Sequence, residues 1–216
     1  MKNLIIVSVL LFIFLKINTT FAWDTTAAKF YPLSVGNYYV FAYYHLSFDC
    51  SYYQFVGFRI ADITSTTILS NGKKYFIFEG WMPGYSWIYQ RIDSVTMNVY
   101  SYNTNTLEED LLDSLHANVG DTFLGKRNPF SAGPCIVADT STQYLFNATR
   151  LVKPIIAYGT VSMRYSLIEG IGFSGISACT MGSGEAYILK GCVINGVLYG
   201  DTTPTPSTAR QQSNSI

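Results

Sequence analysis

The chain has 216 residues with 14 basic and 14 acidic side chains, so it carries no excess positive charge that could neutralise a phosphate backbone, and nucleic-acid binding is disfavoured. Charged residues make up only 13 % against 16 % aromatics, with 17 Tyr, 14 Phe and 3 Trp. Large amphipathic rings fit a pleated, half-buried surface, so this balance points to strands.

Residues 1–22 read as a secretory signal. Lys2 gives a positive start, Leu4 to Leu15 is an apolar run interrupted by Ser8, and Thr20-Phe21-Ala22 offers a cleavage site before Trp23. The run is shorter than the roughly 20 residues that a membrane span needs, and Lys16 closes it. The expectation is an extracytoplasmic protein with no integral span after cleavage; an uncleaved anchor is the alternative. The first cysteine is Cys50, too far from the cleavage point to carry a lipid anchor. Removing 22 of 216 residues leaves 194, read as one domain over 23–201 and a polar tail over 202–216.

Asn37 to Phe48 is predicted as a strand with apolar residues on both faces, which belongs inside a sandwich or a closed sheet. Tyr52 to Ile63 is the next strand, and Ser65 to Phe78 a hairpin around Asn71-Gly72. Pro83-Gly84 turns the chain into a second hairpin, Tyr85 to Asp93 with Asn98 to Tyr102. Tyr187 to Val193 and Val197 to Gly200 flank a further Asn-Gly at 195–196. Local rules conflict over 107–117. Thr106-Leu107-Glu108-Glu109 is a capping box and Leu107, Leu111 and Leu115 share a helical face, which argues for a helix. After Asp201, Thr-Thr-Pro-Thr-Pro-Ser-Thr is linker composition.

Cys50, Cys135, Cys179 and Cys192 form no CxxC, and an even count in an oxidising compartment reads as two disulfides with three connectivities. Cys179 and Cys192 are closest in sequence, flanking a Gly/Ser-rich loop, which leaves Cys50 with Cys135. Four buried thiols are the alternative. Zinc is disfavoured because the ligand spacings are absent.

Four stretches carry a resemblance: Phe30-Tyr-Pro-Leu-Ser-Val-Gly-Asn-Tyr38, Arg91-Ile-Asp-Ser-Val-Thr-Met-Asn-Val-Tyr100, Asn118-Val-Gly-Asp-Thr-Phe123 and Leu189-Lys-Gly-Cys-Val-Ile-Asn-Gly-Val-Leu-Tyr-Gly-Asp201. The chain resembles uncharacterised secreted β-rich proteins of bacteria that use type IX secretion. The resemblance covers nearly the whole mature domain, and its motifs are turns and strand ends that name no activity. It implies a C-terminal sorting domain after a linker such as 202–216, and the sequence ends at Ile216 without one. A stand-alone form, a truncated form and periplasmic retention stay open. Met97 stands where the relatives usually have Gly, so Asn98 is expected to take the positive-φ position. The resemblance also implies a strand at 109–115 leading into the Val-Gly-Asp turn, and strand is the reading adopted.

Gly170-Ile-Gly-Phe-Ser-Gly175 matches GxGxxG, but the residues after it make a poor helix, so a glycine-rich strand end is expected rather than a dinucleotide site. Ser174 lacks the spacing of a nucleophile elbow. Of the two imidazoles, His45 lies in an aromatic strand and His116 lies near Asp113 and Asp121, which makes His116 the better catalytic candidate. Asp93, Glu108, Glu109, Asp113 and Glu169 could supply the paired acids of a glycosidase, with Asp49 also scattered along the chain. Asn103, Asn105, Glu108 and Asp110 offer oxygens to calcium without the spacing of an EF-hand. Trp81, Tyr85, Trp87 and Tyr89 are candidate binding aromatics, with the last three on one strand face, or else a core stripe.

The expectation is therefore all-β: a single antiparallel sandwich or strongly curved partial barrel, secreted or at the cell surface. Its function is read as a non-enzymatic module binding a protein or glycan. No catalytic, metal or cofactor residue is assigned. The alternatives are an extracytoplasmic polysaccharide hydrolase and a structural passenger domain.

Overall fold

The aromatic run after Asn37 forms β1 (Tyr38–Leu46), and its alternation sends Tyr39, Phe41 and Tyr43 into the core while Tyr38, Val40 and Tyr44 face out. In the computed structural model residues 23–80, 87–127, 133–180 and 183–203 are described. The expected signal, the Pro83-Gly84 turn and the tail beyond Thr203 lie outside them.

A short helix α1 (Thr25–Ala28) precedes the strands, N-capped by Asp24, whose carboxylate accepts from Thr26 N at 2.8 Å and Ala27 N at 3.0 Å. The remaining strands are β2 (Tyr53–Ile68), β3 (Lys74–Glu79), β4 (Tyr89–Ile92), β5 (Asn98–Asn103), β6 (Glu108–Ser114), β7 (Thr122–Gly125), β8 (Gly133–Val137), β9 (Ser141–Leu145), β10 (Ala148–Ala157), β11 (Ser162–Ile168), β12 (Gly172–Thr180), β13 (Ser183–Ile194) and β14 (Val197–Gly200).

These strands form one antiparallel sheet in the order β6-β5-β4-β3-β2-β1-β13-β12-β11-β10-β8-β7, with β9 added to β10 and β14 to β13. The sheet curls into a nearly closed barrel. Its two ends meet where Lys126 N donates to Leu111 O at 2.7 Å. β2 allows this by its length: residues up to Asp62 pair with β1 and those beyond pair with β3, so one strand spans a large stagger.

Residues 108–114 form a strand, as the resemblance implies, and not the helix that the capping box suggests. Leu107 turns at φ 60° just before it, and Leu112 and Leu115 enter the core. Met97 itself takes the positive φ of 53°, which corrects the expectation for Asn98; burial of its side chain holds it in the turn. Asn195-Gly196 is the two-residue hairpin expected, with φ of 51° and 79°. Around Asn71-Gly72 only Gly72 has positive φ, and Leu69 N bonds to Lys73 O at 3.1 Å, so this hairpin has a longer loop. Gly170 and Gly172 turn β11 into β12, and the segment after the GxGxxG match is a strand, which leaves no helix N-terminus for a pyrophosphate.

One continuous core fills the barrel. The segment before β1 closes one end: Phe30 and Tyr31 are buried, and Gly170 N bonds to Lys29 O at 2.8 Å. At the centre lies an ion pair with no exposed surface, Arg127 after β7 with Asp113 on β6. Tyr165 donates to Asp113 Oδ1 at 2.8 Å and Arg127 Nη2 donates to the Tyr31 hydroxyl at 2.8 Å. Tyr31 in turn donates to Gln90. The guanidinium sits 4.7–5.5 Å from the ring centres of Tyr31, Trp87, Tyr165 and Phe173. Burial raises the phenol of Tyr165 well above its usual range and that of Tyr31 as well.

Candidate ligand-binding face

The outer face of β10 to β13 carries a depression of about 460 Å³. Ile156 lies opposite Arg164 across β10 and β11, Arg164 lies opposite Ser177 across β11 and β12, and Gly175 lies opposite Ile188 across β12 and β13. Alternation puts these side chains opposite the core residues Ile155, Tyr165, Ile176 and Tyr187. A bulge between Tyr165 and Leu167 sets two residues of β12, Ser174 and Gly175, against Ser166. Gly175 has φ 125°, and a Cβ there would stand 2.0 Å from Tyr187 O. Only glycine can occupy that position, and its missing side chain helps form the floor. The third glycine of the GxGxxG match thus shapes a surface groove.

One wall is aromatic. Tyr44 of β1 meets Tyr53 and Phe55 of β2 edge-on, with ring centres 5.9 and 5.7 Å apart, and Phe55 meets Phe58 at 5.1 Å. Tyr53 is 46 % exposed and Phe55 50 %, and Ile188 beside them is 44 % exposed. Tyr53 lines the depression itself, across from Pro154 and Ile156. Arg164 makes no hydrogen bond or ion pair among the described residues, so its guanidinium is available to a ligand. The Ser174 hydroxyl donates to Ser166 O at 3.0 Å.

A disulfide closes one end of this face. Cys50, in the loop after β1, bonds to Cys179, two residues beyond Ser177 on β12, with Cα atoms 6.2 Å apart. The expected pairs Cys50–Cys135 and Cys179–Cys192 are not formed. Cys135 and Cys192 are buried free thiols on strands that are not neighbours, and burial raises both thiols, Cys192 to about 12. The loop is tied internally as well: Asp49 accepts from Ser47 Oγ at 2.6 Å and from Ser51 N at 3.1 Å, which holds its carboxyl down at about 2.

The other sequence candidates lie elsewhere. Trp81 and Tyr85 are outside the described residues. Trp87 is buried against Arg127, which takes it off any exposed aromatic face, and Tyr89 is half-buried at the start of β4. His116 Nε2 lies 2.9 Å from Asp24 Oδ2 at the surface. Nδ1 of His45 lies 3.4 Å from the Tyr43 hydroxyl.

Among the candidate acids Asp93, Glu109, Asp113 and Glu169 lie against cations, and Glu108 is exposed at the start of β6. Asp113 holds Arg127, and Glu169 lies 3.6 Å from Lys29. Glu109 accepts from Arg91, Lys73 and Tyr75, while Arg91 Nη1 reaches Asp93 at 3.1 Å. Burial alone would raise Glu109, but Arg91, Lys73 and Tyr75 hold it at about 2, against a usual 4.5. The Thr96 N–H and Arg91 hold Asp93 at about 2, against a usual 3.8. A glycosidase general acid needs the opposite shift.

A pH dependence follows. Both carboxylates have folded values below their unfolded ones, so their contribution is complete above about 4.5 and is lost as pH falls toward about 2. Urea midpoints measured across that window are expected to drop, and Glu109→Gln is expected to flatten the drop.

Sequence reasoning did not identify Tyr53, Phe55, Arg164 or Ser177 as a group. They come from three strands spread over most of the domain, and the one local signal was Gly175 in the GxGxxG match.

Fold and face together define an all-β, barrel-like domain with an exposed aromatic wall beside a groove of mixed polarity. No protein-family model matches the chain, and a search of the curated proteins returns no match. The disulfide is compatible with an extracytoplasmic location, and no described helix is long and apolar enough to cross a membrane.

Proposed function

We propose that this chain is a secreted or cell-surface binding module, non-enzymatic, that holds a glycan across the outer face of β10 to β13. The observation that carries this reading is the exposed Tyr53 ring on the wall of a groove that also presents Arg164 and serine side chains. A sugar ring has an apolar face that stacks on an aromatic side chain, and its hydroxyls pair with guanidinium and hydroxyl groups at the edge. The groove volume falls within the usual range for small-molecule sites. Export through a cleaved signal, and kinship with type IX secreted proteins, belong to the same proposal.

The hydrolase alternative is the weaker reading, because three of its five acids, Asp93, Glu109 and Asp113, are each engaged by arginine. Screening the purified protein against a glycan array is the test. Binding is expected to weaken at least tenfold in Tyr53→Ala and in Arg164→Ala, with unchanged thermal midpoints, because both side chains reach the surface. Tyr144→Ala, an exposed aromatic on β9 outside the groove, is expected to bind normally. Absence of glycan binding, or binding indifferent to Tyr53 and Arg164, would reject the reading; capture of a protein ligand through the same residues would replace glycan by protein.

A further inference from the structure

A second cavity lies at the end of the barrel closed by the N-terminal segment. It measures about 450 Å³ and is bounded by Trp23, Leu33 and Pro32 on one side and by Phe76 and Ile92 of β3 and β4 on the other, with Lys74 among its lining residues. Phe76, Ile92 and Leu33 pack against the core from this side and give the cavity an apolar floor, while Tyr31, Lys74 and Arg91 add polar groups to its lining. Two cations touch the cavity. Arg91 is committed to Glu109 and Asp93. Lys74 has no hydrogen-bond or ion-pair partner among the described residues.

A mostly apolar, half-open cavity with a single unpaired cation is complementary to a molecule with an apolar chain and one negative end. We infer that this cavity binds a straight-chain monocarboxylate, its chain between Trp23, Phe76 and Ile92 and its carboxylate at Lys74 Nζ. Small-molecule sites are common at the mouths of β-barrels, and the volume falls within the usual range. This site is separate from the glycan face: none of its lining residues belongs to the groove over β10 to β13.

The test is calorimetric titration of the purified protein with decanoate and with decanol, supported by tryptophan emission because Trp23 forms part of the wall. One saturable decanoate site is expected, with decanol about five- to tenfold weaker. Lys74→Glu, at an exposed position that leaves folding intact, is expected to weaken decanoate by at least the same factor and to leave decanol unchanged. Trp23→Ala is expected to weaken both ligands, and Tyr53→Ala neither. The inference is overturned if decanoate does not saturate, if decanol binds as tightly as decanoate, or if Lys74→Glu leaves decanoate affinity unchanged.

Discussion

Replacing Arg127 with alanine is expected to destabilise the domain by about 3–5 kcal/mol, because Asp113 would remain as an unpaired charge with no exposed surface. For a domain of this size that lowers the thermal midpoint by on the order of 10 °C. The effect arises from what is left behind more than from the pair itself. Taking both ions out of water offsets much of their attraction, so the double variant Arg127→Met with Asp113→Leu is expected to recover a large part of the loss. Complete denaturant curves for the two single variants and the double variant make the comparison. Little loss on removing Asp113 alone, with the double variant matching the Arg127 single variant, would mean that the guanidinium is held chiefly by its four surrounding rings and not by the carboxylate. Asp113→Asn probes the charge with the shape kept: the amide offers one acceptor oxygen where Tyr165 and Arg127 now use one each, so one of the two loses its acceptor.

The second large effect is expected on breaking the Cys50–Cys179 bond. It closes a loop with a sequence separation of 129 residues, and the loss of unfolded-chain restriction is worth about 2–5 kcal/mol. Urea unfolding of the oxidised protein against Cys50→Ser with Cys179→Ser measures it. The same variant is expected to bind glycan more weakly, because Tyr53 follows Cys50 by three residues and the bond ties that loop to β12. Intact mass after thiol labelling checks the pairing independently. Native protein is expected to take no label, since Cys135 and Cys192 are buried, and unfolded unreduced protein is expected to take two labels. A mass beginning at Trp23 is the accompanying outcome for the proposed export. Four labels, or none after unfolding, would contradict the pairing.

Much of the architecture was legible in the residues because strand periodicity and turn chemistry are local. The double-faced apolar run at 38–46 required neighbours on both sides, and it lies between β2 and β13. Asn195-Gly196 marked its hairpin through backbone geometry alone. The contest over 107–117 shows where local rules fail: the capping box offered a helix, yet pairing with β5 and burial of Leu112 and Leu115 prevail. The disulfide was misread for a related reason. Nearness along the chain favoured Cys179 with Cys192, whereas the sheet order sets β1 and β12 on either side of β13 and brings the ends of those strands together. Arg127 gave no signal, since one charged residue beside a short strand looks like a solvated one. For Trp87 the core-stripe alternative holds over the binding one, and nothing nearby in sequence disclosed the cation it packs against. The groove could not be read at all, being assembled from outward-facing positions on separate strands.

The pairing of β1 with β13 also sets a timetable. Tyr38 lies opposite Val193, 155 positions later in the chain (38 to 193), so one flank of the most apolar strand stays uncovered until almost the whole polypeptide has emerged. At a synthesis rate of about 5–20 residues per second that interval is roughly 8–30 s. A β1–β2 hairpin formed in that interval would have an open edge along β1, the kind of surface that pairs with other chains.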